Sequence, residues 1–257
     1  MVPMITSRLV VCALAVLLSA CAAASHLPPP QQPLLRVGVT PDTAPYVFRD
    51  HEQFSGVEID FAVRLAAALG RPLALVPVAW DEQIPSLLSG RTDLIMSGMS
   101  ITPERAQKVA FGEPYLTTTL QAVVRRSDAE RWPTAEALIK TSPRIGVKAG
   151  TTGESFVRQR RPDEAIVVYR RSRDAITELG NYRIDVYVGD APVIEQAVLN
   201  HPRTLVAYSR AVGQQSIAWA FRPGDDGLRG TANAVLRGWR QDGTLRQILG
   251  DWPSIVE

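Results

Sequence analysis

Three short segments of this chain carry the residue types that recognise a small charged molecule. The first is Ser97-Gly98-Met99-Ser100-Ile101-Thr102-Pro103-Glu104-Arg105, which sets hydroxyls and backbone N–H groups close to one arginine. A guanidinium is a planar fork that meets a carboxylate with two parallel hydrogen bonds. The second, Lys148-Ala149-Gly150-Thr151-Thr152-Gly153, is a glycine turn running into a helix, whose start favours an anion. The third, Gly189-Asp190-Ala191-Pro192, offers a carboxylate that accepts from an ammonium or caps the helix after it. Each has an ordinary use when taken singly: Arg105 as a surface residue, the glycine turn as a turn, Asp190 as an N-cap. Their joint occurrence supplies donors for a carboxylate and an acceptor for an ammonium.

Other chemistries lack their residues. His26, His51 and His201 are scattered without metal-ligand spacing, and no metal or cofactor is expected. There is no G-x-S-x-G nucleophile turn, and Gly150 to Ser155 lacks the lysine-serine pair of a phosphate loop. The net charge is +2 with the arginines spread along the chain, so no nucleic-acid partner is expected.

The elements that must position these residues alternate. Leu35–Val39 reads as a strand, and Pro41, Asp42 and Pro45 break it into a loop. Over Gly56–Leu69, Ile59, Ala62, Val63, Ala66 and Leu69 recur at helical spacing, and Gly70 and Pro72 end the helix. A strand over 73–78, a short helix over 81–88 and a strand over 93–96 follow. Thr102 caps a helix opened by Pro103. The cycle then restarts with strands over 144–148, 166–169, 186–188, 205–208 and 217–221. Between and after them come helices from 154 onward, over 174–179, 191–199, 228–240 and 244–251. Each chemically loaded segment lies just after a strand. The alternation predicts an α/β fold with mostly parallel sheets, in which ligands bind beyond the carboxyl ends of the strands. Two cycles joined by β-rich stretches near 117–124 and 207–217 predict two lobes with two crossings.

The first residues read as a processing signal. Arg8 precedes an apolar run from Leu9 to Leu18, too short to span a bilayer, which needs about 20 apolar residues. The run ends in Leu18-Ser19-Ala20-Cys21, which resembles the lipobox of bacterial lipoproteins. On this reading residues 1–20 are a signal peptide and Cys21 carries lipid. Residues 21–33, rich in alanine, proline and glutamine, form a tether. Cys12 would be discarded with the signal, leaving no pair for a disulfide.

The whole of the chain from about Leu35 onward is similar to the bacterial periplasmic solute-binding proteins of the polar amino-acid family, family 3. These are the binding components of ABC importers. The resemblance rests on Phe54-Ser55-Gly56-Val57-Glu58-Ile59-Asp60, Trp80 with Ile84 to Leu87, and the Ser97 to Arg105 segment. Further on it includes Phe111 to Tyr115, the Gly150-Thr151-Thr152 turn, Asp185 to Asp190 and Gln241 to Thr244.

The resemblance implies a two-lobed type II periplasmic-binding-protein fold. Lobe 1 would comprise 34–118 and 213–257, and lobe 2 would comprise 119–212. It implies a monomer in the periplasm, held at the membrane by its lipid, that hands an amino acid to ABC transporter membrane subunits. Arg105 would clamp the α-carboxylate, helped by Ser97, Gly98, Ser100, Thr151 and Thr152, and Asp190 would take the α-ammonium. Trp80 would pack on the ligand. The first loop of the family supplies an acidic residue and an aromatic near Thr40 and Thr43, and both are threonine here. With Lys148 before the turn, a polar neutral or acidic amino acid is expected, because an ammonium there repels a cationic side chain.

The same fold carries cyclohexadienyl dehydratase, an arogenate dehydratase-like enzyme that needs a glutamate shortly after the Asp190 position. Here that stretch is Ala191-Pro192-Val193, and Glu195 is displaced by two residues, so a noncatalytic binder is expected. A sensory ligand-binding domain is the alternative among binders. A lytic transglycosylase, which begins with a similar domain, is not expected, since the chain stops at Glu257.

Overall fold

The structure is a computed structural model and describes residues 33–141, 144–208 and 213–255. The signal peptide, Cys21 and nearly all of the tether expected from the sequence lie outside the described residues.

Two sheets organise the fold. The first has the strand order Leu73–Pro77, Leu35–Val39, Leu94–Ile95, Ala220–Phe221, Ala110–Phe111. Its first three strands run parallel and its last two pairings are antiparallel. The second has the order Ile166–Tyr169, Ile145–Lys148, Val186–Asp190, Leu116–Arg125, Leu205–Ala207, again parallel on one side and antiparallel on the other. Both sheets are therefore mixed, not mostly parallel. The antiparallel pairings come from segments that pass between the sheets, where a returning chain runs against its neighbour. Leu116–Thr119 pairs antiparallel with Gln214–Ile217, so the two crossings lie side by side.

The expected strand over 217–221 is in fact two. Gln214–Ile217 pairs into the second sheet and Ala220–Phe221 into the first, with Ala218 and Trp219 turning between them. The expected loop after Pro41 holds a small antiparallel sheet of Asp42–Thr43, Val47–Asp50 and Gln53–Ser55, its hairpin closed at His51, where φ is 53°.

Helices cover the sheets where their apolar faces require it. Val57–Ala68 buries Val57, Ile59, Phe61, Ala62, Leu65 and Ala66. Val63, expected on that face, is 53% exposed, because the face is centred on Phe61 and Leu65. Phe61 packs against Tyr115, Trp219 and Trp239 at centroid distances of 4.9, 5.7 and 6.0 Å. Pro103–Ala106 is capped as expected: the Thr102 hydroxyl accepts from Arg105 N.

Candidate functional site

The three loaded segments converge. Ser97 to Arg105 follows the strand Leu94–Ile95, the glycine turn follows Ile145–Lys148, and Asp190 ends Val186–Asp190. All three strands belong to the parallel parts of their sheets, so the segments meet beyond the carboxyl ends as such sheets dictate. They line one cleft together with Thr43, Tyr46, Trp80 and Tyr187.

The cleft is drawn shut by contacts between its walls. Trp80 Nε1 donates to the Gly150 carbonyl at 3.0 Å, and Arg105 Nη2 donates to the same oxygen at 3.0 Å. Arg105 Nη1 donates to the Ser100 carbonyl at 2.9 Å, and its guanidinium lies 5.2 Å from the Trp80 ring centroid. Arg105 is thus turned inward over an aromatic face and is only partly exposed. Burial lowers the affinity of the guanidinium for its proton, and Asp190 and Glu104 work against that. The space left between the walls is about 30 Å³, room for a water molecule.

Asp190 stands at the N-cap position of the helix Ala191–Asn200, yet its side chain makes no capping hydrogen bond. It faces the cleft and accepts from Gln215 Nε2 at 2.7 Å. Burial raises its carboxyl above the usual range, while Gln215, Arg105, Lys148 and Thr152 pull it down. The Gln215 oxygen accepts from the Ser100 and Thr152 hydroxyls at 2.9 Å each.

The remaining expected residues divide by where their polar groups go. The Ser97 hydroxyl accepts from Thr40 N and Gln83 Nε2, and Gly98 N donates to Glu58 Oε1 at 2.6 Å, so both face the cleft with these groups committed behind it. Gly98 has φ +66°, and a Cβ there would meet the Tyr46 ring at 2.5 Å, so only glycine lets that ring lie flat against the loop. Thr151 caps the helix Thr152–Arg158 by accepting from Glu154 N, and donates to the Lys148 carbonyl. Thr40 is not on the cleft wall: it is 2% exposed, donating to the Val78 carbonyl and accepting from Gln83. Lys148 Nζ reaches Asp42 and Thr43 on the opposite wall.

Sequence reasoning missed several residues, among them Gln215, Asp42, Tyr46 and Tyr187. Gln215 and Asp42 act from segments far away in the chain, and nothing in their local pattern marks them. Tyr46 lines the cleft at 1% exposure, and its hydroxyl has no hydrogen-bond partner among the described residues. The only sequence signal for it was a tyrosine directly after Pro45 in the first loop. Glu195 lines a separate cavity with Gln121, Gln214 and Pro192. Among the described residues no helix is long and apolar enough to cross a membrane, and no cluster of His, Cys, Asp or Glu could hold a metal ion.

Comparison with known proteins is consistent with this geometry. The profile of the bacterial extracellular solute-binding proteins, family 3, matches residues 35–254. ABC transporter arginine-binding protein 1 of Escherichia coli (strain K12) is 28% identical over 206 residues, 79% of this chain and 83% of that protein. Cyclohexadienyl dehydratase of Pseudomonas aeruginosa is 27% identical over 220 residues, 85% of this chain and 82% of the enzyme. The crystal structure of the ancestral amino acid-binding protein AncCDT-1, a precursor of cyclohexadienyl dehydratase, superposes with a TM-score of 0.80 at 33% identity. It covers 85% of this chain and 95% of that one.

Proposed function

The chain belongs to the bacterial extracellular solute-binding proteins of family 3, and on that footing we propose that it is the amino-acid-binding component of an ABC importer. One observation carries the reading. Arg105 and Asp190 face one cleft from segments that follow different sheets, with the Ser100 and Thr152 hydroxyls beside them. A guanidinium with hydroxyl donors suits an α-carboxylate, and a carboxylate suits an α-ammonium. The ligand side chain is polar and neutral or acidic, since Lys148 lines the cleft.

The two sheets are the cores of two lobes, residues 34–118 with 213–257 and residues 119–212, that hinge at the paired crossings. The protein works as a monomer in the periplasm, acylated at Cys21 and tethered by residues 22–33. Mass spectrometry of the mature N-terminus tests that part; an unmodified Cys21 or cleavage elsewhere ends it.

A dehydratase activity has less support than binding. Glu195, the glutamate nearest in sequence to where that enzyme needs one, lines a cavity other than the cleft. Thermal-shift screening of the twenty amino acids tests the binding reading directly. A cleft that no amino acid stabilises would overturn it, and turnover of prephenate or arogenate would favour the enzyme.

A further inference from the structure

One end of the cleft is closed by an ion pair between a buried lysine and a half-buried aspartate. Lys148 Nζ donates to Asp42 Oδ1 at 2.7 Å and to Thr43 Oγ1 at 2.6 Å, and Thr43 Oγ1 donates in turn to Asp42 Oδ1 at 2.7 Å. The Lys148 side chain is 3% exposed, and its ammonium lies 5.5 Å from the centroid of the Trp80 ring. Lys148 and Thr43 line the cleft, whereas Asp42 stands behind them. Arg171, another cation whose charge reaches Asp42, is bound to Asp174 at 2.7 Å. A carboxylate, a hydroxyl and an aromatic face are the groups that hold an alkylammonium or a guanidinium. Here the chain supplies that cation itself.

We infer that Lys148 is a resident cation that occupies a subsite for cationic side chains built from Asp42, Thr43 and Trp80, and so excludes lysine and arginine as ligands. For its ligands this rests on the amino-acid reading above; for the subsite it does not. A ligand ammonium or guanidinium entering this end would have to eject Lys148 from Asp42, leaving a desolvated charge unpaired. Removing the Lys148 side chain uncovers the carboxylate and leaves space for a ligand cation in its place.

The test compares the wild-type protein, Lys148→Ala and the double variant Lys148→Ala/Asp42→Asn by thermal shift. The probes are arginine, lysine, glutamine, glutamate and n-butylammonium chloride, a cation with no α-carboxylate. Arginine, lysine and butylammonium are expected to leave the wild type unshifted and to stabilise Lys148→Ala. The gain in arginine affinity is expected to be roughly tenfold or more, as for a close charge pair. The double variant loses the gain. If butylammonium stabilises Lys148→Ala while no amino acid stabilises any of the proteins, the resident cation stands and the amino-acid reading falls. If glutamine or glutamate binds the wild type but Lys148→Ala gains no cation, the resident cation alone is overturned. Arginine or lysine bound by the wild type overturns it as well. Should Lys148→Ala fail to fold, its refolding yield with butylammonium is the readout, with recovery supporting the subsite and no recovery overturning it.

Discussion

Gln215 Nε2 donates to Asp190 Oδ1 over 2.7 Å, while Gln215 Oε1 accepts from Ser100 and Thr152 at 2.9 Å each. The carboxamide therefore turns donors toward the acid and an acceptor toward the hydroxyls. An amino acid presents the same polarity with its ammonium and carboxylate. A ligand that reaches Asp190 competes with Gln215 for it. Gln215→Ala is expected to tighten amino-acid binding by roughly tenfold or more, since a hydrogen bond to a charged group contributes about 1.5–3 kcal/mol. Calorimetry decides, and weaker binding in the variant would mean that the amide touches the ligand directly.

Arg105 and Asp190 are expected to hold opposite ends of one zwitterion. Truncating either leaves a desolvated ligand charge unpaired, a loss of about 2–5 kcal/mol or roughly 30- to several-thousand-fold in affinity. Asp190→Asn is informative because the Asp190 side chain makes no capping bond, so the substitution tests charge and not the cap. Near-wild-type affinity in both folded variants Arg105→Ala and Asp190→Asn would remove the amino-acid assignment and leave the fold untouched.

Stability is expected to fall as pH rises toward neutrality, through Glu58. This side chain is fully buried, and burial pushes its carboxyl up to about 7 from an ordinary 4.5, against the pull of Gly98 N, Tyr115 and Trp219. The folded state then binds a proton that the unfolded state has released, between about 4.5 and about 7. The stability this contributes is present below 4.5 and is lost as pH rises through about 7, amounting to about 3 kcal/mol. The depressed carboxyls of Asp93 and Asp185 act in the opposite sense and at lower pH. Urea denaturation between pH 4.5 and 8 reads the slope, which Glu58→Gln should flatten. A slope that survives in the variant assigns it to other groups.

Ligand binding is expected to compact the protein. The walls meet at Gly150, whose carbonyl accepts from both Trp80 and Arg105 across the cleft. Those contacts must break for a ligand to reach Arg105 and Asp190, and a ligand held by both residues would favour closure. Small-angle scattering should show a radius of gyration that falls on saturation. A constant value across the titration would rule out hinge closure.

Much of this molecule is determined locally. The alternation of strand and helix, the Thr102 cap and the positions of Arg105, Gly150 and Asp190 after strands follow from periodicity and capping, which depend on neighbours a few residues away. Those features placed most of the candidate residues on the cleft wall, because strand ends in parallel sheets open on the same edge.

Tertiary structure alone decided which side chains those walls turn toward each other. Gln215 meets Asp190 from 25 residues away, and Lys148 meets Asp42 from 106. The antiparallel register that sets Gln215 opposite Thr118 joins two segments far apart in the chain. Thr40 shows the converse: its place in the first loop suggested the cleft, yet its hydroxyl is consumed by Val78 and Gln83 behind the wall. A sequence shows a polar group but not its partner. A buried polar group must be satisfied by whatever the packing brings near, and so its role is settled only when distant segments meet.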